Sequence, residues 1–269
     1  MKTKWLKTVV VLMMASLAGQ AMAATWTGAG ADDLWSNPDN WQDGILPAAG
    51  GGATILAEGN DAGNDYIRMN STAVLDGDIF GPEWGIHLDI DGGSLTTTGF
   101  SFAPIGETSV IDVRNGGYLQ VHNLLPGWSW WYETPGTTLN VYDTSMVKAT
   151  DWMWTGGRIN LYGGVIDIDG GLNMLYNPLS WVDIHEGSLI IRSRFVDVYE
   201  GEVYQFTRDL FAEAQTWAND GYLKAYGGAG DVIIELTAED DVMITGVVPE
   251  PATLALLGLG ALVLRKRTR

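Results

Sequence analysis

The chain has 269 residues with a formal net charge of −18, and 46% of its residues are hydrophobic. This apolar and aromatic content excludes a disordered chain, and the lack of cysteine excludes disulfides and thiolate metal sites. The 33 acidic residues outnumber the 15 basic ones, which excludes nucleic-acid binding through a basic surface.

The first 23 residues have the parts of a secretory signal peptide. Three lysines precede an apolar stretch over residues 8–17, and Ala21 and Ala23 provide small residues for a signal peptidase. The apolar stretch is shorter than the ~20 residues that a membrane-spanning helix needs. We therefore expect residues 1–23 to be a signal peptide and the protein to be exported.

Residues 25–47 form a tryptophan-rich opening that contains Trp26, Trp35 and Trp41 among Gly, Asn and Pro residues. This segment resembles the opening of many secreted bacterial β-solenoid proteins, including autotransporter-like passenger repeats. The terminal coils of a solenoid need covers that prevent edge-to-edge pairing. We expect the three tryptophans to cap the open end of the core.

A four-residue pattern of alternating apolar and polar side chains then recurs six times, at residues 67–70, 88–91, 111–114, 139–142, 159–162 and 182–185. The alternation predicts strands with one buried face. Its recurrence at a nearly constant interval predicts an all-β fold, a right-handed parallel β-solenoid or β-helix of about six turns of about 23 residues. An antiparallel β-sandwich is the alternative, because hairpins also produce alternating strands.

Stacking these segments in register predicts two columns of outward side chains. The first column is Arg68, Asp89, Asp112, Asn140, Asn160 and Asp183, and the second is Asn70, Asp91, Arg114, Tyr142, Tyr162 and His185. Asp89 and Asp91 are candidate ligands for Ca²⁺, the one cofactor that the sequence suggests. Tyr142 and Tyr162 are expected to stack and are candidate ligand-binding residues. A solvated ladder of cross-strand pairs is the alternative for this face.

Two clusters of tryptophans are a further candidate binding surface, because exposed indole faces stack on sugar rings. The clusters are about one turn apart and comprise Trp128, Trp130 and Trp131 in the first and Trp152 and Trp154 in the second. The alternative is a loop core buried beneath the turns.

Catalytic signals are poor, so we expect a protein that is not an enzyme. The three histidines are scattered without metal-ligand spacing, and no nucleophile elbow or phosphate-binding glycine loop occurs. A polysaccharide lyase or hydrolase is the alternative, and it would use Asp89, Asp91, Asp112 and Arg114.

The pattern changes after residue 195. Residues 208–219 have helical periodicity, with Leu210, Phe211, Ala214 and Trp217 on one face. Strands are predicted near residues 232–237 and 242–245. We expect residues 24–195 to be the solenoid domain and residues 196–246 to be a C-terminal cap and stalk.

The C-terminal tail has three ordered parts. Pro249, Glu250 and Pro251 precede an apolar run over residues 252–264, and the chain ends in basic residues. The apolar run gives a hydrophobic helix of about 20 Å, short of the ~30 Å hydrocarbon core. This tail, residues 247–269, resembles the PEP-CTERM sorting signal of certain Gram-negative bacteria; a simple C-terminal anchor is the alternative.

The resemblance implies cleavage by an exosortase-type membrane protease, after transient anchoring in the inner membrane through the C-terminal helix. It also implies release to the cell surface or extracellular matrix. We therefore expect an exported structural protein. A module that binds an extracellular polysaccharide is the main alternative.

Overall fold

The computed structural model describes residues 24–47, 53–55, 66–75, 79–80, 87–97, 102–103, 109–124, 137–174, 179–192, 196–199, 202–205 and 209–248. Short 3-10 helices lie at Pro38–Asn40, Gln42–Gly44 and Tyr226–Gly228, and the α-helix of the described residues, α1, spans Leu210–Asn219. The strands, in chain order, are β1 (Ala24–Trp26), β2 (Ala53–Ile55), β3 (Tyr66–Met69), β4 (Thr72–Leu75), β5 (Ile79–Phe80), β6 (His87–Asp91), β7 (Ser94–Thr97), β8 (Phe102–Ala103), β9 (Val110–Arg114), β10 (Tyr118–Val121), β11 (Thr138–Val141), β12 (Met146–Ala149), β13 (Trp152–Thr155), β14 (Arg158–Ile168), β15 (Gly171–Met174), β16 (Trp181–Ile191), β17 (Val196–Tyr199), β18 (Glu202–Gln205), β19 (Leu223–Ala225), β20 (Asp231–Leu236) and β21 (Val242–Val247).

Parallel pairing arranges these strands into three stacks. The first contains β3, β6, β9, β11, the first halves of β14 and β16, and then β19. The second contains β4, β7, β10, β12 and the second halves of β14 and β16. The third contains β1, β2, β5 and β8, and β13 and β15 pair in the same way farther along the chain.

All six predicted segments lie in the first stack, which confirms the parallel β-solenoid and excludes the antiparallel sandwich. Coils with a strand in every stack number about four, slightly fewer than the six turns expected. The coil of β9 and β10 reaches the third side through a single bridge between Leu124 and Met153, and the coil of β16 leads into the C-terminal cap.

The core consists of two aliphatic columns that follow from the period-two alternation. Their members are at most 2% exposed and are Ile67, Leu88, Ile111, Leu139, Ile159 and Val182 in one column and Met69, Ile90, Val113, Val141, Leu161 and Ile184 in the other. Each such side chain contributes about 1.5–3 kcal/mol when it is buried. The in-register pairing of apolar residues therefore holds successive coils together.

The N-terminal end of the core is covered as expected. Trp26, Trp35 and Trp41 are each at most 4% exposed, and their ring centroids lie 4.7 to 6.5 Å apart. Nε1 of Trp41 donates a hydrogen bond to the carbonyl oxygen of Trp35 (2.8 Å). Backbone hydrogen bonds also join residues 33–35 to Arg68 on β3, so this segment covers the first edge of the stack.

The C-terminal end is covered by α1 and a β-hairpin. Leu210, Ala214 and Trp217 on α1 are buried as predicted, while Phe211 is partly buried against the core. β21 pairs antiparallel with β16, and β20 pairs antiparallel with β21. Because β21 continues to Val247, residues expected to form a stalk belong to the sheet.

Within the described residues, no helix has the length and apolar character required to cross a membrane. The predicted hydrophobic sorting helix, residues 252–264, lies outside them.

Close contact between coils makes Gly157 a sensitive position. A Cβ atom added there would overlap the carbonyl oxygen of Thr137 in the preceding coil, whereas Gly221 has a φ of +81° and no heavy atom within 4 Å of an added Cβ. We expect Gly157→Ala to lower the free energy of unfolding by about 2–3 kcal/mol, and Gly221→Ala by about 1 kcal/mol from backbone strain alone. Thermal unfolding followed by circular dichroism compares the two, and equal losses would contradict the steric explanation.

Candidate functional site

The outward face of the first stack carries the candidate site, and the predicted first column is present there in full. Strand register places each member opposite the next, in the order Arg68, Asp89, Asp112, Asn140, Asn160 and Asp183. The second column holds for the pair of Asp91 and Arg114. At its end the backbone register shifts, because an extra residue in β16, His185, leaves Glu186 opposite Tyr162. The His185 ring nevertheless lies beside the Tyr162 ring, as the column predicts.

Asp89 is enclosed by two partners from neighbouring coils. Nε and Nη2 of Arg114 donate to its two carboxylate oxygens at 2.8 and 2.5 Å, and the hydroxyl of Tyr66 donates to Oδ2. Burial, followed by this contact with Asp89, raises the pKa of Tyr66 to about 12. The carboxylate is thus only 1% exposed, although it lies on the outward side of the strand.

Asp91 has a separate set of donors. Nδ2 of Asn115 donates to Oδ1 at 2.5 Å, and the guanidinium of Arg68 donates to Oδ2. The hydrogen bond from Asn115, followed by the one from Arg68, lowers the pKa of Asp91. A Ca²⁺ ion at Asp89 and Asp91 would therefore compete with two arginines, and the described residues contain no group of three or more acidic or histidine side chains that could hold a metal. The Ca²⁺ site stays a prediction.

Polar contacts continue along the first column beyond Asp89. Asp112 pairs with Nε2 of His87 at 2.7 Å and accepts a hydrogen bond from Nδ2 of Asn140 at 2.8 Å. Burial raises the pKa of the Asp112 carboxyl, but the hydrogen bonds from His87 and Asn140 outweigh it, so that the pKa is lowered. Asn160 in turn donates to Oδ1 of Asn140 at 2.8 Å. This order agrees with the expected ladder of cross-strand pairs.

The stacking of Tyr142 on Tyr162 is confirmed, with ring centroids 5.1 Å apart and an interplanar angle of 18°. This row of rings continues along the solenoid. The ring centroid of His185 lies 4.9 Å from that of Tyr162, and the ring centroid of Tyr226 lies 5.2 Å from that of His185. Tyr226 adopts a φ of +50°, which is unusual for a bulky residue. The N–H of Gly227 donates to both carboxylate oxygens of Asp183 at 3.0 Å and fixes this turn.

Sequence reasoning missed a second aromatic feature, which is centred on Trp181. The guanidinium carbon of Arg158 lies 4.5 Å from the centroid of its ring, and Nζ of Lys224 lies 3.6 Å from it. Trp181 directly precedes a predicted strand, at the position aligned with Arg158. The repeat interval therefore could have predicted the contact of Arg158 with Trp181. The contact of Lys224 could not be predicted, because no sequence pattern indicates the strand β19 that carries it.

The predicted tryptophan surface is only partly placed. Trp128, Trp130 and Trp131 lie outside the described residues. Trp152 and Trp154 lie on β13, and the half-buried ring of Trp152 packs over Gly171 in the next coil. The tryptophan surface stays a prediction.

A second pair of aspartates, Asp167 on the second half of β14 and Asp169 directly after that strand, lies away from Asp89 and Asp91. Arg192 donates to both carboxylate oxygens of Asp167 at 2.8 and 2.7 Å, and Lys148 lies 3.1 Å from Asp167. Burial raises the pKa of Asp167, but Arg192 and Lys148 outweigh it, so that the pKa is lowered. Arg192 also reaches Asp241 in the C-terminal cap, at 3.4 Å, and so joins the cap to the solenoid.

The C-terminal tail directly follows the folded body, because β21 ends at Val247, where the predicted sorting signal begins. Residues 247–269 match the family described as the PEP-CTERM protein-sorting motif. The chain carries a PEP-CTERM sorting motif. The PEP-CTERM motif implies export, transient membrane anchoring and delivery to the cell surface. Comparison with the curated proteins and with the solved structures finds no match to this chain.

The contacts of Asp89 predict a large loss of stability for Asp89→Asn in this PEP-CTERM protein. The substitution removes the carboxylate that Arg114 and Tyr66 share, and we expect the free energy of unfolding to fall by about 2–3 kcal/mol. Arg68→Gln is the control, because the Arg68 side chain is 46% exposed and its ion pair contributes about 0–1 kcal/mol. Urea unfolding measures both, and similar losses would contradict the role assigned to Asp89.

The lowered pKa values of Asp112 and Asp167 predict acid sensitivity. An unfolded aspartate has a pKa of about 3.9, so the stabilisation is complete above that pH and disappears as the pH falls through the lower pKa of the folded state. We expect Tm to be nearly constant between pH 7 and about 5 and to fall below about pH 4. Asp112→Asn should show a shallower fall than the exposed control Asp231→Asn, and parallel curves would refute the assignment.

Proposed function

We propose that this protein is a structural component of the cell surface or extracellular matrix of a Gram-negative bacterium. The observation that carries the proposal is the sorting motif at residues 247–269, which directs an exported chain to exosortase. β21 ends at Val247, so the folded body extends up to the first residue of the motif. Cleavage within the motif would therefore release the body with both of its caps intact.

The ion pairs on the outward faces support a structural role, because four of the six basic residues in the described part of the chain pair with aspartates. Arg68 and Arg114 pair with aspartates of neighbouring coils, and Arg192 and Lys148 do the same on the second stack. These pairs join successive coils and rigidify the solenoid. A rigid repeat with paired charges suits a protein that builds a surface layer.

We also propose that the protein is not an enzyme. A general acid that works near neutral pH requires a carboxyl group whose pKa is raised. The pKa values of Asp91, Asp112 and Asp167 are lowered instead, because arginine, lysine, histidine or asparagine side chains bind their ionised forms. This pattern favours ion pairing over acid–base catalysis at these aspartates.

A polysaccharide-binding module is the second candidate function. The row of Tyr142, Tyr162, His185 and Tyr226 favours it, because the side chain of Tyr162 is exposed and its neighbours extend an aromatic strip along the solenoid. Aromatic side chains combine a large apolar face with a polar group, which suits contact with sugar rings. This function is compatible with a place in the matrix.

Substitution of Pro249, Glu250 and Pro251 by alanine tests the sorting. We expect the variant to stay in the membrane fraction with an intact C-terminus, because the motif that exosortase recognises is lost. The wild type should be recovered outside the cells as a product that begins near Ala24 and ends near Val248. Intact-mass analysis of each cell fraction measures both ends of the chain.

Glu235→Ala provides the matched control, since it removes one exposed carboxylate from β20 and leaves the motif unchanged. This variant should be processed like the wild type. If the alanine variant of the motif were released and cleaved normally, sorting through this motif would be refuted.

A further inference from the structure

Two cations of this acidic protein form no ion pair among the described residues. Six basic residues lie in that part of the chain, and four of them form ion pairs with aspartates: Arg68, Arg114, Lys148 and Arg192. Arg158 and Lys224 form none there, although the whole chain carries a net charge of −18. Cations that form no ion pair on such an acidic protein are candidates for binding an anion from outside the chain.

Both of these cations lie against Trp181. β16, which carries Trp181, pairs with β14 on one side and with β19 on the other, so the two cations approach the ring from neighbouring strands. A ring face attracts cations but does not neutralise them. Nε of Arg158 is buried without a hydrogen-bond partner. Burial, with a smaller effect from Arg158, lowers the pKa of Lys224 and outweighs the charge of Asp183, which raises it. An anion bound here would relieve both conditions.

Asp183 is the acidic residue in strand register with Lys224. The charge of Asp183 raises the pKa of Lys224, but the two carboxylate oxygens of Asp183 accept the N–H of Gly227 and form no ion pair with Lys224. His185 Nε2 lies 3.4 Å from Asp183. Arg158 and Lys224 thus place two positive charges at Trp181, and the carboxylate of Asp183 is the negative charge that acts on Lys224.

The rest of the strand face identifies the type of anion. Arg158, Asn160 and Tyr162 occupy alternate outward positions of β14, which spread over about 13 Å. Oδ1 of Asn160 has no partner among the described residues, and Tyr162 is 40% exposed. A cation, an amide acceptor and an exposed aromatic ring thus lie in one line, and these groups match the carboxylate, hydroxyl and ring face of an acidic sugar.

We propose that this line, together with Lys224, is a binding site for a polysaccharide that contains uronic acids. Arg158 and Lys224 bind the carboxylate, Asn160 accepts a hydrogen bond from a hydroxyl group, and Tyr162 packs against a sugar ring. The proposal rests on the polysaccharide-binding function above and names its substrate class and its site.

A second copy of this chain is the competing source of carboxylates. The amide and aromatic positions beside the cations favour a sugar, since an ion pair between two copies would not require them. Repulsion from distant aspartates falls off over a Debye length of about 8 Å at physiological salt, so contacts at the site dominate for either partner.

Titration calorimetry tests the proposal with a hexamer of mannuronate and a neutral maltohexaose as probes. The full chain in mild detergent is used, so that the result does not depend on sorting. We expect the wild type to bind the mannuronate hexamer and not maltohexaose. Arg158→Gln and Lys224→Gln should each weaken binding about tenfold, which is the loss expected for one charged hydrogen bond.

Arg68→Gln is the matched control, because it removes one cation from the same sheet face outside the site, and its affinity should stay within about twofold of the wild type. Tm values show that each variant is folded. The proposal is overturned by no binding, by equal affinity for maltohexaose, or by an equal loss in Arg68→Gln. Sedimentation of a dimer that Arg158→Gln abolishes, without binding of mannuronate, would assign the cations to a second copy instead.

Discussion

In-register parallel pairing of successive coils is the constraint on which the rest of this structure depends. Each residue of the first stack lies beside its equivalent one coil away, about 4.8 Å distant. Inside the solenoid this repetition is favourable, because aliphatic side chains such as Ile111 and Leu139 pack on their own kind. Outside, the same repetition would place like charges side by side.

The outward face resolves that conflict through pairing across neighbouring positions. Asp89 and Asp112 are opposite each other in register, yet Arg114 binds the first and His87 the second. Farther along, the column changes from carboxylates to the amides of Asn140 and Asn160, which hydrogen-bond to one another. The paired charges thus hold neighbouring coils together. The arrangement near Trp181 differs, because Arg158 and Lys224 lie against its ring and form no ion pair among the described residues.

The two ends of the solenoid are closed in different ways, and the difference bears on function. Three packed tryptophans and residues 33–35 cover the first coil. The last coil is covered by α1 and by a hairpin that Arg192 ties to the solenoid through Asp241. Since β21 runs up to the PEP-CTERM motif, the cap connects the folded body directly to the segment that exosortase recognises.

The sequence by itself determined the six strand segments of the first stack, the first column of outward side chains and the sorting motif. The alternation of apolar and polar residues and the three successive parts of the tail are local patterns, so their physical cause is contained within a few neighbouring residues. The stack of Tyr142 on Tyr162 also followed, because a repeat interval fixes which residues become neighbours.

Only the tertiary structure decided what depends on partners that are distant in sequence or irregular in register. The extra residue His185 in β16 leaves Glu186 opposite Tyr162, and the left-handed turn at Tyr226 extends the aromatic row. The burial of Asp89 under Tyr66 and Arg114 also follows from three coils together. Lys224 reaches Trp181 because β19 adds one strand to the stack after α1, and no repeat in the sequence announces that strand.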